Sequence, residues 1–181
     1  VYAPDMEHDA CGVGFVAARD GKPTRAVVDA AIEALQAIWH RGAVDADGMT
    51  GDGAGIHIEI PRDFFIEHIA RTGHDDDGGR LAVGMVFLPR TDLAEQERCR
   101  CIVEQEILAV GHSIYGWRQV PVDVHALGDK ANATRPEIEQ IMFSMPAGLG
   151  EEEAERQLYV VRRRIEKAVT AELISDFYIC S

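Results

Sequence analysis

Apolar and polar residues follow two rhythms along this chain, and each rhythm predicts one kind of secondary structure. An apolar residue at every third or fourth position is typical of a helix with one buried face. Helices are predicted in a stretch after Pro23-Thr24 that reaches Trp39, at Asp63–Arg71, from Asp92 to about Val110, and at Glu151–Glu172. Asp92 is placed to cap the third helix, and the acidic start and basic second half of the fourth match the helix dipole.

Other segments are typical of strands. Ile56, Ile58 and Ile60 alternate with polar residues, which predicts a half-buried strand, whereas Leu81–Leu88 is apolar on both faces and predicts a central strand. Further strands are predicted at Tyr115–Val124 and Ile174–Ser181, and Glu137–Phe143 fits either a strand or a helical turn. By itself, this alternation of helices and strands predicts a parallel α/β sheet.

Composition narrows the class of protein. The chain has 181 residues, 46% hydrophobic and 27% charged, which suffices for one domain with an ample core. A net charge of −13 argues against a nucleic-acid partner, and the apolar runs are too short to cross a membrane. Four cysteines without a disulfide framework fit a reducing cytoplasm, and Val1–Ala10 lacks the apolar region of a secretory signal.

One cysteine stands out as candidate chemistry. Cys11 follows a short acidic leader and opens the apolar, glycine-spaced, strand-like segment Gly12–Ala17. A thiol at the mouth of a strand is a plausible nucleophile, and cleavage before Cys11 would give it its own α-amino group as a base. The alternative from this segment alone is a small cysteine buried in a strand.

Two further motifs bear on that choice. His40-Arg41-Gly42-Ala43 ends the first helical stretch, and Thr50-Gly51-Asp52-Gly53-Ala54-Gly55-Ile56 follows it. Together with Cys11-Gly12-Val13-Gly14-Phe15, and in this order, they resemble the glutaminase domain of glutamate synthase large subunits. That domain is a class II glutamine amidotransferase of the N-terminal-nucleophile (Ntn) hydrolase superfamily. The resemblance continues through Ile60–Phe65 and Glu155–Tyr159 to Phe177–Ser181 and so spans essentially the whole chain.

The resemblance implies a fold that differs from the pattern-based one. It implies an α+β, four-layer αββα sandwich of two antiparallel sheets between helix layers, incomplete at the C-terminal end. We follow the resemblance here rather than the parallel sheet. It also implies that residues 1–10 are a pro-segment or leader, and that residues 11–181 are the N-terminal part of the amidotransferase domain.

The resemblance also implies a reaction. Cys11 would attack the side-chain amide of glutamine, release ammonia, and form a glutamyl thioester that water hydrolyses. Arg41 and Gly42, which by pattern could simply end a helix, would help to shape the glutamine site. We expect no metal in this segment, because His74 and the three aspartates after it are typical of a solvated, exposed loop extending to Gly79.

In the parent enzyme, by resemblance, the ammonia aminates 2-oxoglutarate to glutamate, in glutamate biosynthesis and ammonia assimilation. FMN and an iron–sulfur cluster would lie in later domains, with no cofactor in this segment, and a small electron-donating subunit would be a partner. Family members continue past the position of Ser181 into a Ser-x-Arg segment and an Asn-Gly pair that hold the glutamine carboxylate and oxyanion. We therefore expect this segment alone to be inactive.

Two alternatives remain open at this point. The chain could be a class II amidotransferase of another pathway, against which the long Thr-Gly-Asp-Gly-Ala-Gly-Ile form argues. It could also be a non-catalytic, amidotransferase-like module that only binds a synthase partner. The sequence does not specify the electron donor or the oligomeric state.

Overall fold

The computed structural model describes residues 12–38, 42, 44–51 and 53–180. Its helices are α1 Arg25–Ala37, α2 Arg62–Arg71, α3 Leu93–Ala109, α4 Asp129–Thr134 and α5 Glu151–Ala171. Its strands are β1 Arg80–Leu88, β2 Ser113–Gln119, β3 Glu137–Met145 and β4 Tyr178–Cys180. The chain divides into two compact units: a first unit of Val1–Glu59 and Asp123–Thr134, and a second unit of Ile60–Val122 and Arg135–Ser181.

The second unit is built on a four-stranded antiparallel sheet with the strand order β2-β3-β1-β4. β1 pairs along its whole length with β3, from Arg80 opposite Met145 to Leu88 opposite Glu137. β2 pairs with the other side of β3, and β4 pairs with the other side of β1. The parallel sheet predicted from the alternation of helices and strands is therefore wrong for this sheet.

Both faces of the sheet are covered, which explains why β1 is apolar on both sides. On one face, α3 and α5 pack in the larger core cluster, whose members include Val86, Val103, Ile141 and Ile165. On the other face, α2 contributes Phe65 and Ile69 to a smaller cluster with Leu81, Tyr115 and Met142. Burial of this apolar surface, at about 25 cal/mol per Å², is the main stabilising contribution. Because a strand covered on two sides is apolar in either orientation, its pattern does not specify strand direction.

Local signals locate the helix ends well. Asp92 caps α3, and its Oδ1 accepts hydrogen bonds from the amides of Ala94 and Glu95 at 2.9 Å each. The predicted helices at α1, α2 and α5 are confirmed to within one or two residues. Local sequence signals, such as capping residues and charges that match the helix dipole, are therefore enough to predict where these helices begin and end.

The strand boundaries differ more from the predictions. The strand expected to reach Val124 ends at Gln119, because Pro121 has no amide to donate to a ladder. The segment left open between a strand and a helical turn is the strand β3. The last strand is confined to Tyr178–Cys180.

The first unit is less regular. It contains α1, α4, a 3₁₀ turn at Val124–Ala126 and, in its described part, one isolated bridge between Val44 and Gly51. The strand predicted at Ile56–Ile60 is not formed within the described residues, and the side chains of Ile56 and Ile58 are 42% and 44% exposed. Its alternation predicts one buried face, but no described strand pairs with it.

The fold class is thus α+β, with helices on an antiparallel sheet. The described residues contain the sheet of the second unit. The second sheet of the implied four-layer sandwich is not among them.

Candidate functional site

Of the three predicted site residues, one lies in the described part of the chain. Gly42 is exposed and lies in a bend. Cys11 and Arg41 lie outside the described residues, as does Asp52 of the glycine-rich motif. The grouping of Cys11, Arg41 and Gly42 therefore stays a prediction.

The segment that follows Cys11 is apolar but exposed. Every residue of 12–17 is exposed, and Val13 and Phe15 keep 94% and 93% of their accessible surface. The expected strand-like segment is not paired in the described part of the first unit. Large apolar side chains exposed side by side in this way are typical of a surface that contacts other polypeptide.

A tight turn links the two motifs that follow. The Val44–Gly51 bridge pairs the residue two positions after Gly42 with the second residue of the glycine-rich motif. Inside this bridge, the amide of Asp45 donates to the carbonyl oxygen of Thr50 at 2.7 Å. Gly48 has φ +71°, a conformation that glycine adopts without strain. The tight turn in the structure thus spans residues 45–50 and ends where the glycine-rich motif begins.

Asp47 holds this turn together. Its Oδ1 accepts from the amides of Met49 and Thr50 at 2.9 and 2.7 Å, and its Oδ2 accepts from Thr50 Oγ1 at 2.5 Å. The Thr50 hydroxyl above all, and then the two amides, lower the pKa of Asp47 to about 2. We had no prediction for Asp47; an aspartate just before a glycine is nevertheless a known turn signal.

A distant segment packs against the same turn. Gly128 is buried, and a Cβ placed on it would lie 2.3 Å from Thr50 Oγ1 and 2.4 Å from Asp47 Oδ2. Two residues further on, Lys130 Nζ lies 2.6 Å from Asp45 Oδ2. These contacts join residues about eighty positions apart, and no local sequence signal indicates them.

The loop at 74–79 carries a second polar cluster, in the second unit. Asp77 Oδ1 accepts from the Tyr115 hydroxyl at 2.6 Å and from Ser144 Oγ at 2.7 Å. Asp76 accepts two hydrogen bonds from Arg62 Nη2, at 2.8 and 2.6 Å. The Tyr115 hydroxyl holds the pKa of Asp77 below its ordinary value, and Arg62 does the same for Asp76. The loop is largely exposed, as predicted, but these two carboxylates are hydrogen-bonded to the protein.

Neither a metal site nor a membrane span is found in the part of the chain that the structure describes. Over residues 12–38, 42, 44–51 and 53–180, no group of three or more His, Cys, Asp and Glu side chains could hold a metal ion. Over the same ranges, every helix is too short or too polar to cross a bilayer.

Two of the described cysteines, Cys99 and Cys180, are poor candidates for a nucleophile. Cys99 is buried in the larger core cluster, and burial raises the pKa of its thiol to about 11. Burial also raises the pKa of the Cys180 thiol. Because the thiolate is the reactive form, neither environment favours covalent catalysis.

Comparison with known proteins identifies the class. The sequence model of the class-II glutamine amidotransferases matches residues 11–181. The chain belongs to this family.

Its relatives are more specific. The chain is 64% identical over 180 residues to the "Glutamate synthase [NADPH] large chain" of Azospirillum brasilense, which covers 99% of this chain and 12% of that protein. It is 43% identical over 176 residues to "Ferredoxin-dependent glutamate synthase 2" of Synechocystis, with 97% of this chain and 11% of that protein covered. The chain thus spans about an eighth or less of these relatives. The resemblance drawn from the three motifs is confirmed.

Proposed function

We propose that this chain is the glutaminase part of a glutamate synthase large chain, in which Cys11 releases ammonia from glutamine. The observation that carries the proposal is the 64% identity to a glutamate synthase large chain over 99% of this chain. The family match supports the assignment of Cys11, because it begins at this residue. The raised thiol pKa values of Cys99 and Cys180 also support it, because they disfavour these two cysteines as the nucleophile.

The proposed chemistry uses the amino group of Cys11 as the base. Removal of Val1–Ala10 frees this amine, whose ordinary pKa of about 8 lets it take up a proton near neutral pH. The amine accepts the thiol proton, and the sulfur attacks the side-chain amide carbon of glutamine. Collapse of the tetrahedral intermediate breaks the C–N bond, and the departing nitrogen takes the proton from the amine. Water then hydrolyses the glutamyl thioester to glutamate and restores the thiol.

Arg41 and Gly42 would border the glutamine in this scheme. The Val44–Gly51 bridge supports their proximity to the glycine-rich motif, since it joins the chain just after Gly42 to that motif. We also propose that the full fold is the four-layer αββα sandwich. The exposed apolar segments at 12–17 and 56–60 support this, because strands of a second sheet need such faces.

In the parent enzyme, the released ammonia would aminate 2-oxoglutarate, and reduction would give glutamate. FMN and an iron–sulfur cluster would lie in later domains of that enzyme. A small electron-donating subunit and a cytoplasmic location complete the proposal. A class II amidotransferase of another pathway is disfavoured by the two glutamate synthase relatives.

The test separates the two nitrogen sources in the full-length enzyme. Cys11→Ala should reduce glutamine-dependent glutamate formation by about a thousandfold or more, since the nucleophile is lost. Ammonia-dependent formation should stay within about twofold, because free ammonia bypasses the cysteine. Cys101→Ala, at a half-buried cysteine on α3, is the matched control and should leave both activities intact. Equal loss of both activities in Cys11→Ala, or full retention of both, would contradict the proposal; full retention would show that a group other than Cys11 cleaves glutamine.

A further inference from the structure

The contact of Gly128 with the turn at 45–50 is closer than any side chain would allow. A Cβ on Gly128 would lie 2.3 Å from Thr50 Oγ1 and 2.7 Å from the Thr50 backbone nitrogen. Gly128 is not among the glycines with a positive φ, so backbone conformation does not require a glycine here. The requirement comes from close approach between two segments of the first unit.

The same segment also contacts the beginning of the turn. Lys130 Nζ lies 2.6 Å from Asp45 Oδ2, and the amide of Asp45 closes the turn on the Thr50 carbonyl oxygen. With the side chains of Lys130 and Asp45 67% and 34% exposed, this ion pair contributes little to stability. The ion pair nevertheless holds Asp45, the first residue of the turn, and the close contact with Gly128 holds Thr50, the last.

The turn is stiff, so a displacement at Thr50 is transmitted along the chain. Three hydrogen bonds to the Asp47 carboxylate hold Met49 and Thr50 in place. Gly51 is held across the turn by Val44. A displacement of Thr50 would therefore shift the glycine-rich motif, which continues after it, and the segment before the turn, which leads back to Gly42.

We propose that Gly128 and Lys130 are positioning residues for glutamine: they hold the 45–50 turn, and through it the two motifs that border the glutamine site. This inference rests on the proposed function. It makes the segment 128–130, which no sequence motif singled out, a determinant of glutamine use. Neither residue is assigned a contact with glutamine.

The first experiment compares two glycine substitutions in the full-length enzyme. Gly128→Ala should lower kcat/KM for glutamine by about tenfold or more, since displacements near 1 Å at a catalytic constellation cost this much. Ammonia-dependent glutamate formation should stay within about twofold, because that chemistry does not use the turn. Gly150→Ala is the matched control: a Cβ there meets nothing within 4 Å, so both activities should be unchanged.

A second measurement separates positioning from general loosening of the fold. Cys11 is labelled with iodoacetamide and, separately, with a diazoketone analogue of glutamine, and both rates are followed by peptide mass spectrometry. In Gly128→Ala, the analogue should react about tenfold or more slowly, whereas the iodoacetamide rate should change by less than about twofold. Equal slowing with both reagents, or no slowing with either, would overturn the inference.

Lys130→Met provides a milder variant should Gly128→Ala fail to fold. It keeps the aliphatic stem and helix propensity but removes the ion pair with Asp45. We expect kcat/KM for glutamine to fall by about twofold to fivefold, in line with one exposed ion pair, with ammonia-dependent activity unchanged. Unchanged glutamine kinetics in this variant would overturn the inference. Failure of the proposed function is distinguishable, because Cys11 of the wild-type enzyme would then not react with the analogue.

Discussion

Arg100 on α3 and Glu139 on β3 form a doubly hydrogen-bonded ion pair, with Nε–Oε2 and Nη2–Oε1 distances of 2.9 and 2.6 Å. The two side chains are only 23% and 11% exposed. Glu139 raises the pKa of the Arg100 guanidinium, chiefly through these hydrogen bonds. Arg100 Nη2 also donates to Gln96 Oε1 at 3.1 Å. The guanidinium is therefore hydrogen-bonded to side chains of both α3 and β3. The pair holds α3 against the N-terminal part of β3, which lies beside the C-terminal end of β2.

Glu139→Gln should destabilise the second unit. The substitution leaves the partly buried guanidinium with only the exposed carboxylate of Glu97 as its anion, at 3.2 Å, which costs about 2–3 kcal/mol. The free energy of opening can be measured by amide hydrogen exchange of β1 and β3 in the full-length enzyme. Arg163→Gln removes an exposed pair with Glu166 on α5 and should cost less than about 0.5 kcal/mol. Equal effects of the two substitutions would contradict this account of the Arg100–Glu139 pair.

The loop at 74–79 should respond to acid. Because the folded-state pKa values of Asp76 and Asp77 are lowered, their contribution to stability is present above the unfolded carboxyl pKa of about 4. That contribution is lost as the pH falls from there through the lowered folded-state values. Amide exchange of residues 77–80, corrected for its intrinsic pH dependence, should accelerate only below about pH 4.

Tyr115→Phe tests the cause of that behaviour. It removes the hydroxyl that contributes most to the lowered pKa of Asp77, so loop opening should begin at higher pH. The loss of this hydrogen bond should cost about 1 kcal/mol at neutral pH. Tyr159→Phe, at an exposed position on α5, is the control and should leave the transition where it is. An unshifted transition in Tyr115→Phe would show that the hydroxyl does not set the pKa.

The 45–50 turn can be tested through the hydroxyl of Thr50. Thr50→Val removes the hydroxyl that donates to Asp47, whereas Thr50→Ser keeps it. In the full-length enzyme, the valine variant should lose about threefold to tenfold in kcat/KM for glutamine, which corresponds to one solvent-exposed hydrogen bond of about 1 kcal/mol. The serine variant should stay close to wild type. Similar kinetics for the two variants would show that the hydroxyl is not what holds the turn.

The sequence predicted the elements that depend on local chemistry. Asp92 specified the start of α3, and the charge gradient with its apolar stripe specified α5. The residue pattern alone predicted the wrong strand direction, whereas the antiparallel pairing implied by the resemblance is confirmed for this sheet. Pairing is decided between distant segments, and the apolar faces of β1 fit either orientation. The same distinction between local signals and contacts of distant segments applies to the candidate site. Cys11 and Gly42 are predicted from motifs, whereas the contact of Gly128 with Thr50 depends on the folded chain and carries no motif.

The proposed leader should be absent from the active enzyme. If the Cys11 amine is the base, the peptide bond after Ala10 has to be cut, because an amide nitrogen cannot accept the thiol proton. Peptide mass spectrometry of the large chain purified from its native host should find Cys11 as the first residue. A fully active enzyme that still carries Val1–Ala10 would show that another group acts as the base.

The central claim, that Cys11 forms a covalent bond with the substrate, is tested most directly by trapping the intermediate. Full-length enzyme mixed with excess glutamine is quenched in acid within the first turnovers, and its peptides are analysed by mass spectrometry. We expect the peptide that begins at Cys11 to gain the mass of one glutamyl group, as a thioester that hydroxylamine removes. Cys11→Ser should show no such thioester. A glutamyl group on Cys99, Cys101 or Cys180, or glutamine turnover with no adduct on Cys11 at any quench time, would contradict the account.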